Sequence, residues 1–311
     1  MPSFTPAYID SYQSGRLSRK IEIAHQLLRK CEVCPRKCGV DRINNELGFC
    51  RTGKHALVCS YHAHFGEEAP LVGKKGSGTI FFSNCNLLCC FCQNFEISHQ
   101  GEGTVVYPDQ IAGMMIQLQK EGCHNINFVT PSHVVPQILA ALPKAIEQGL
   151  HIPLVYNTGA YDSVEVLKLL EGVFDMYMPD FKFVDPELSK AACQAEDYAT
   201  VAKQAIKEMF RQVGDLVLDD SGIAMKGLLI RHLVLPDNLA GTKQVMEFIM
   251  NEISADTYVN IMPQYYPCGL ADRLPGLNRR ITDKEFQAAM EDARQAGIRR
   301  FDQRRRLFEV W

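Results

Sequence analysis

The sequence predicts an α/β protein, a partial β/α barrel of about six strand–helix units, preceded by a small Cys-rich N-terminal segment. Three observations lead there. Apolar runs of strand length alternate with amphipathic stretches of helix length, the pattern of a parallel sheet covered by helices. No Gly-rich nucleotide fingerprint opens the first helix, and "GKKGSG" at 73–78 precedes the first strand, where a phosphate loop would follow one. Residues suited to chemistry sit at or just past strand C-terminal ends: Cys85, Thr130, Ser132, Asn157, Thr158, Asp180, Lys182 and Gln264. That is the face on which β/α barrels build their active sites.

The elements follow in order. "SGRLSRKIEIAHQLLRK" at 14–30 places Ile21, Ile23, Ala24, Leu27 and Leu28 near helical spacing. It leads into a cysteine cluster, and the expected boundary between this segment (1–59) and the barrel (60–311) follows. "TIFFSNC" at 79–85 is a short apolar run ending in polar residues. The helix at 108–122 has Pro at its start and Gly at its end. Strand and helix then alternate: 126–132, a strand broken by Pro131, with a helix over 134–149; 153–159 with 163–172; 174–182 with 196–214; 227–236 with 242–253; and 257–263 with 283–297.

The bulk composition excludes several classes. A chain of 311 residues that is 46% hydrophobic and 22% charged reads as ordinary globular protein. Its net charge of −3 exerts no overall pull toward nucleic acid or anionic membrane. The basic run "RRFDQRRR" at 299–306 reads as a solvated face. No apolar run is long enough to span a membrane, and the polar, acidic opening does not resemble a signal peptide, so a cytoplasmic location is expected.

Twelve cysteines are informative in a reducing compartment, where clusters point to metal or redox chemistry. Eight fall in two groups; Cys59, Cys123, Cys193 and Cys268 are scattered and read as small buried apolar residues. In "CNLLCCFC" at 85–92, Cys85, Cys89 and Cys92 give C-x3-C-x2-C. A triplet using Cys90 in place of Cys89, a structural zinc knuckle and thiols packed in a core are the other readings. An iron–sulfur cube normally takes four thiolates, so a loop supplying three leaves one iron open, and an open position marks catalysis more than structure.

C-x3-C-x2-C with an aromatic before its last cysteine, set after the first strand of a β/α series, resembles the radical SAM superfamily. The stretch 76–103 resembles its branch related to pyruvate formate-lyase (glycyl-radical) activating enzymes. The resemblance implies a [4Fe–4S] cluster on Cys85, Cys89 and Cys92 whose open iron binds S-adenosyl-L-methionine. It further implies reductive cleavage to a 5′-deoxyadenosyl radical. That radical would abstract hydrogen from a glycine of a partner glycyl-radical enzyme, and a flavodoxin- or ferredoxin-type protein would donate the electron.

Phe91 matches the position that contacts adenine. "VTPS" at 129–132 stands where Gly-Gly-Glu is usual, so the resemblance carries over the site without a carboxylate, to the Thr130 and Ser132 hydroxyls or to freed strand-end carbonyls. Asn157 and Thr158 match the third-strand position near the methionine part or ribose. "PDFK" at 179–182 resembles an Asp-Leu-Lys segment, and Lys182 is expected to meet a carboxylate. In "IRHLVLP" at 230–236, Arg231 is expected to clamp an anion while His232 faces away; "PDN" replaces the usual Pro-Gly. "YHAHFGEE" at 61–68 is read as strand and turn packing.

Cys31, Cys34, Cys38 and Cys50 give C-x2-C-x3-C-x11-C, enough to close a zinc site or to ligate a second iron–sulfur cluster fully. Complete ligation assigns that group a structural or electron-transfer role. Two alternatives stand beside the glycyl-radical reading: radical SAM modification of another peptide or small molecule, and a non-catalytic, metal-stabilised electron carrier.

Overall fold

The computed structural model describes residues 4–303; Arg304, Arg305 and Arg306 of the basic C-terminal run lie outside them. Two helices open the chain, α1 (Ala7–Gln13) and α2 (Arg16–Gln26). The cysteine-rich loop follows, then strand β1 (Ala56–His64), the single turn α3 (Ala69–Val72) and β2 (Ser77–Phe82). After the second cysteine loop come β3 (Thr104–Val106), α4 (Pro108–Lys120), β4 (Ile126–Val129), α5 (Val135–Glu147), β5 (Leu154–Thr158), α6 (Val164–Leu169) and β6 (Met176–Pro179). The chain continues through α7 (Pro186–Cys193), α8 (Tyr198–Val213), β7 (Val217–Leu218), β8 (Ala224–Leu233), α9 (Thr242–Glu252), β9 (Tyr258–Met262), α10 (Asp283–Ala296) and β10 (Arg300–Phe301).

Among the described residues one sheet holds all ten strands, in the order β10-β9-β8-β6-β5-β4-β2-β1-β3, with β7 paired to β8. From β2 to β10 every neighbour on that path is parallel and the order never reverses. Right-handed crossovers that always advance in one direction put their helices on one face of the sheet. The sheet then curls around its other face as a partial barrel, and a doubly wound arrangement, which needs a reversal, is excluded. The antiparallel β1 and β3 extend the β2 edge.

Alternation along each strand sorts side chains between two cores. Tyr156, Tyr177 and Ile230 face the helices in the main core, together with Phe128 and Phe82. Val155, Met176, Met178 and Leu229 face inward, where Leu71, Leu216 and Ala224 plug the base of the barrel. That plug leaves the other end, at the strand C-termini, free to form a cavity.

The N-terminal helices are not a separate lobe. Tyr8, Leu17, Ala24 and Leu28 belong to the main core. Tyr8 Oη donates to Ile152 O (2.9 Å), Ser11 Oγ donates to Gly172 O (2.5 Å), and Asp175 accepts from Ala7 N (2.8 Å). The boundary expected between residues 59 and 60 falls inside β1. Among the described residues no helix is long and apolar enough to cross a membrane.

Candidate active site

The strand C-termini and the second cysteine loop enclose a cavity of about 420 Å³. Cys85, Cys89, Phe91, Cys92, Thr130, Asn157, Thr158, Asp180, Lys182, Arg231 and Gln264 all line it. Ser132 does not. It is buried behind the wall and hydrogen-bonds Thr158 Oγ1 at 2.9 Å. Thr158 donates in turn to Asp162 (2.6 Å), which also accepts from Tyr156 Oη (2.8 Å).

The loop that carries the cysteines is bent by two left-handed residues that are not glycine, Asn84 (φ 68°) and Leu88 (φ 52°). Such backbone is costly outside glycine and persists only where surroundings fix it. Asn84 is fixed by its N–H on Ile97 O (2.9 Å) and its side chain on Thr52 Oγ1 (3.1 Å). The backbone of Cys90 is held on both sides, its N–H on Ala192 O (2.9 Å) and its carbonyl by Leu270 N (2.7 Å). Gly269, at φ 57°, permits that approach, since a Cβ there would meet Cys90 O at 2.7 Å. Cys90 therefore anchors the loop, and its thiol is absent from the cavity lining.

The three remaining thiols suit an iron–sulfur cluster in their donor chemistry. Cys85 Sγ accepts from Leu87 N (3.3 Å), the kind of N–H···S contact that tunes such clusters. Burial pushes the Cys85 thiol up to about 12, with Cys89 adding to it. Cys193 Sγ donates to Cys89 Sγ (3.3 Å), and with help from Lys182 this holds Cys89 below its usual range despite burial. Among the described residues no three Cys, His, Asp or Glu side chains converge as a site for a single ion. A cube does not require that, because each thiolate binds a different iron.

Opposite the loop lies a charge network. Arg231 donates to Asp180 (2.6 Å), Asn157 Oδ1 (2.6 Å) and Glu67 (3.3 Å), and Lys182 donates to Asp180 (2.8 Å). Burial alone would raise Asp180, but Arg231 and then Lys182 hold it below the usual carboxylate range. Lys182 is likewise held high, against burial, by Asp180 and Cys89. Glu68 accepts from Asn260 (2.8 Å); burial raises its carboxyl to about 7, opposed by Arg231 and reinforced by Glu67. Three carboxylates thus face two cations.

Thr130 stands at φ 60°, a rare setting for a β-branched residue, with its N–H on Asn157 O (2.9 Å). Phe91 is buried between Phe183 and Tyr265, each at 6.1 Å in edge-to-face contact. His232 points away from the cavity and bridges Phe181 O (2.7 Å) and Thr242 Oγ1 (3.0 Å).

Sequence reasoning missed His64 and Glu67, which line the cavity, and Glu68 beside them. His64 Nδ1 lies 3.4 Å from Glu67, so "YHAHFGEE" adds charge to the site beyond packing a turn. The paired carboxylates directly after a His-rich strand were the available signal. Cys193, read as a lone apolar residue, is a further omission.

The first cysteine group lies mostly inside the protein. Cys31, Cys34 and Cys50 are buried and Cys38 is half-buried. Burial pushes Cys34 up to about 12; the Arg36 backbone N–H opposes this, while Cys50, Cys31 and Cys38 add to it. The Cys34 sulfur thus lies within electrostatic reach of the other three.

Comparison with known proteins adds kinship. No family model matches the chain. The uncharacterized protein MJ0674 of Methanocaldococcus jannaschii is 33% identical over 282 residues, covering 88% of this chain and 77% of that protein. The chain belongs to the MJ0674 family. Solved structures of native anSMEcpe, with bound AdoMet and with AdoMet plus the Cp18Cys peptide, are 13% and 12% identical, at TM-scores of 0.45 and 0.46. Each comparison covers 70% of this chain, which spans 61% and 60% of those chains. A likeness that slight carries no weight for this member of the MJ0674 family, whose site must be read from its own residues.

Proposed function

We propose that the chain is a radical SAM enzyme. The observation that carries this reading is the meeting, in one cavity at the strand C-termini, of the C-x3-C-x2-C thiols with a polar wall of Asn157, Asp180, Lys182 and Arg231. A [4Fe–4S] cluster on Cys85, Cys89 and Cys92 would supply the electron that cleaves S-adenosylmethionine to a 5′-deoxyadenosyl radical.

The protein's own residues then bind, orient and shield. S-adenosylmethionine carries a sulfonium, an ammonium and a carboxylate, hence one net positive charge. The wall of Asp180 and Glu67 against Lys182 and Arg231 offers both signs of charge to it. The left-handed Thr130 presents strand-end backbone and a hydroxyl where the resemblance places the ammonium contact. Phe91 offers a packed aromatic wall for adenine. A pocket closed below by the apolar plug limits water and stray hydrogen donors, as a primary carbon radical requires.

For the hydrogen donor we propose a backbone glycine of a partner enzyme, with a flavodoxin- or ferredoxin-type protein supplying electrons. The support is the likeness of residues 76–103 to the glycyl-radical activating branch.

Anaerobic, iron-loaded protein mixed with dithionite and S-adenosylmethionine should release 5′-deoxyadenosine, measured by chromatography. Cys89→Ala should abolish release and Cys90→Ala retain it. No deoxyadenosine from the loaded parent would overturn the reading, and equal behaviour of the two variants would overturn the choice of ligands. Electron paramagnetic resonance on mixtures with glycyl-radical enzymes tests the partner: a glycyl signal supports it, and silence with every candidate favours another substrate.

A further inference from the structure

Arg42 opens a short 3-10 turn (Arg42–Asn44) inside the first cysteine loop and is 1% exposed. Its Nε donates to Gly53 O (3.1 Å), and its Nη1 donates to His133 O (2.9 Å) and reaches Cys31 Sγ at 3.9 Å. Its buried Nη2 has no partner. Its hydrogen bonds go to two carbonyls and one sulfur, and none of the ion pairs among the described residues includes it. A guanidinium cannot shed its charge, so burying it without an anion is strongly unfavourable. Every other buried cation described above, Lys182 and Arg231, has a carboxylate.

We infer that Cys31, Cys34, Cys38 and Cys50 hold a thiolate-ligated metal centre, and that Arg42 is its buried counter-cation. Four thiolates around Zn²⁺, or around a [4Fe–4S]²⁺ cube, leave two net negative charges, the anion that Arg42 lacks. The loop is shaped for tight packing of sulfur. A Cβ on Gly48 would stand 2.7 Å from Cys38 Cβ and 2.8 Å from its Sγ. Phe49 N already donates to Cys38 Sγ (3.4 Å). Turns at Lys37 N to Cys34 O (3.0 Å) and Gly39 N to Cys31 O (3.0 Å) fold the loop back on itself. Among the described residues no three of these thiols converge as a site for a single ion, so zinc would require the side chains to shift, whereas a cube takes each thiolate on a different iron.

The placement also gives the centre something to do. Arg42 holds the carbonyl of His133, whose Nε2 meets Ser83 O (3.0 Å), and Thr52, two residues past Cys50, hydrogen-bonds Asn84 (3.1 Å). Both paths end on residues directly before Cys85. The centre therefore braces the loop that carries the second cysteine motif. It stands independently of the S-adenosylmethionine reading.

The test is a metal count on full-length protein in which Cys85→Ala, Cys89→Ala and Cys92→Ala together remove the second motif. After anaerobic purification, with zinc alone and iron plus sulfide offered in separate reconstitutions, mass spectrometry should find about one zinc or about four irons per chain. The two arms distinguish the metals. Protein that stays metal-free in both arms overturns the proposal. In the parent chain, Cys31→Ser with Cys34→Ser should remove the same increment, so the count does not depend on the triple variant folding. Arg42→Gln should lose metal to a chelator about tenfold or more faster than the parent, and Arg42→Lys, which keeps the charge, by less. Equal retention in all three removes Arg42 from the centre. Absence of deoxyadenosine from the parent would sink the radical reading and leave this count untouched.

Discussion

At the scale of single residues, the site turns on Arg231. Its guanidinium reaches Asp180, Asn157 and Glu67 at once, from a side chain only 16% exposed. A planar fork can serve three acceptors in this way, whereas an ammonium cannot hold the same geometry. Removing it leaves Glu67 with only His64 and Asp180 with only Lys182. Arg231→Met should therefore cost about 3–5 kcal/mol, the toll of breaking one side of a buried ion network. Urea denaturation measures this, and a loss under about 1 kcal/mol would mean that water replaces the guanidinium. Arg231→Lys should recover part of the stability while leaving S-adenosylmethionine binding weakened, read by calorimetry. The two readouts separate a charge that supports the fold from a fork that supports the ligand.

At the scale of elements, β8 shows how one strand serves two masters. Arg231 points into the cavity, and the next residue, His232, points to the helix side, where it ties β8 and Phe181 to α9 through Thr242. Burial lowers His232 to about 4, only partly opposed by the Phe181 carbonyl and Asp180. Unfolded, the ring takes a proton below about 6.5; folded, it stays neutral until about 4. Its contribution is therefore fully present above pH 6.5 and is lost as pH falls, by at most about 1.4 kcal/mol per unit. Denaturation midpoints from pH 7 to 4.5 should fall more steeply in the parent than in His232→Gln; parallel curves would refute the assignment. Such strands were legible because apolar runs ending in polar residues declare both their length and their functional end. The antiparallel β3, the first half of β1, the short α1 and α7, and the two-residue β7 and β10 were not legible as elements. Each is too short or too polar to show a period, and is fixed by neighbours distant in sequence. The same limit hid much of the site. Glu67 finds Arg231 across 164 positions, Arg42 finds His133 across 91, and Cys193 meets Cys89 across 104. Spacing within a motif reveals ligands that share a loop, and is silent about partners that only the fold brings together.

At the scale of the whole molecule, Arg36 ties the two cysteine loops to the end of α7. From the first loop its Nε donates to Asn86 O in the second loop (2.9 Å), and its Nη2 donates to Cys193 O at the end of α7 (2.6 Å). Its Nη1 donates to Gln194 O, and its guanidinium stacks 3.7 Å from the Phe49 ring, with Tyr161 at 5.1 Å. One side chain thus joins the N-terminal segment, the proposed cluster loop and the helix whose Cys193 touches Cys89. Charged hydrogen bonds to carbonyls and a cation–π contact are each worth about 1 kcal/mol or more, discounted here because the group is half exposed. Arg36→Ala should cost about 2 kcal/mol in global stability, and its larger effect should be local. Hydrogen exchange should quicken together in residues 31–53, 85–92 and 192–195 while β4, β5 and β6 keep their protection. Faster exchange confined to the first loop would show that the three segments are independently fastened. Arg36→Lys should restore little, since one ammonium cannot span three carbonyls and an aromatic face. If the segments do open as a unit, retention of metal in the first loop and geometry at the second become linked properties. Metal loss from the Cys31–Cys50 group would then speed exchange in residues 85–92 in the same way that Arg36→Ala does.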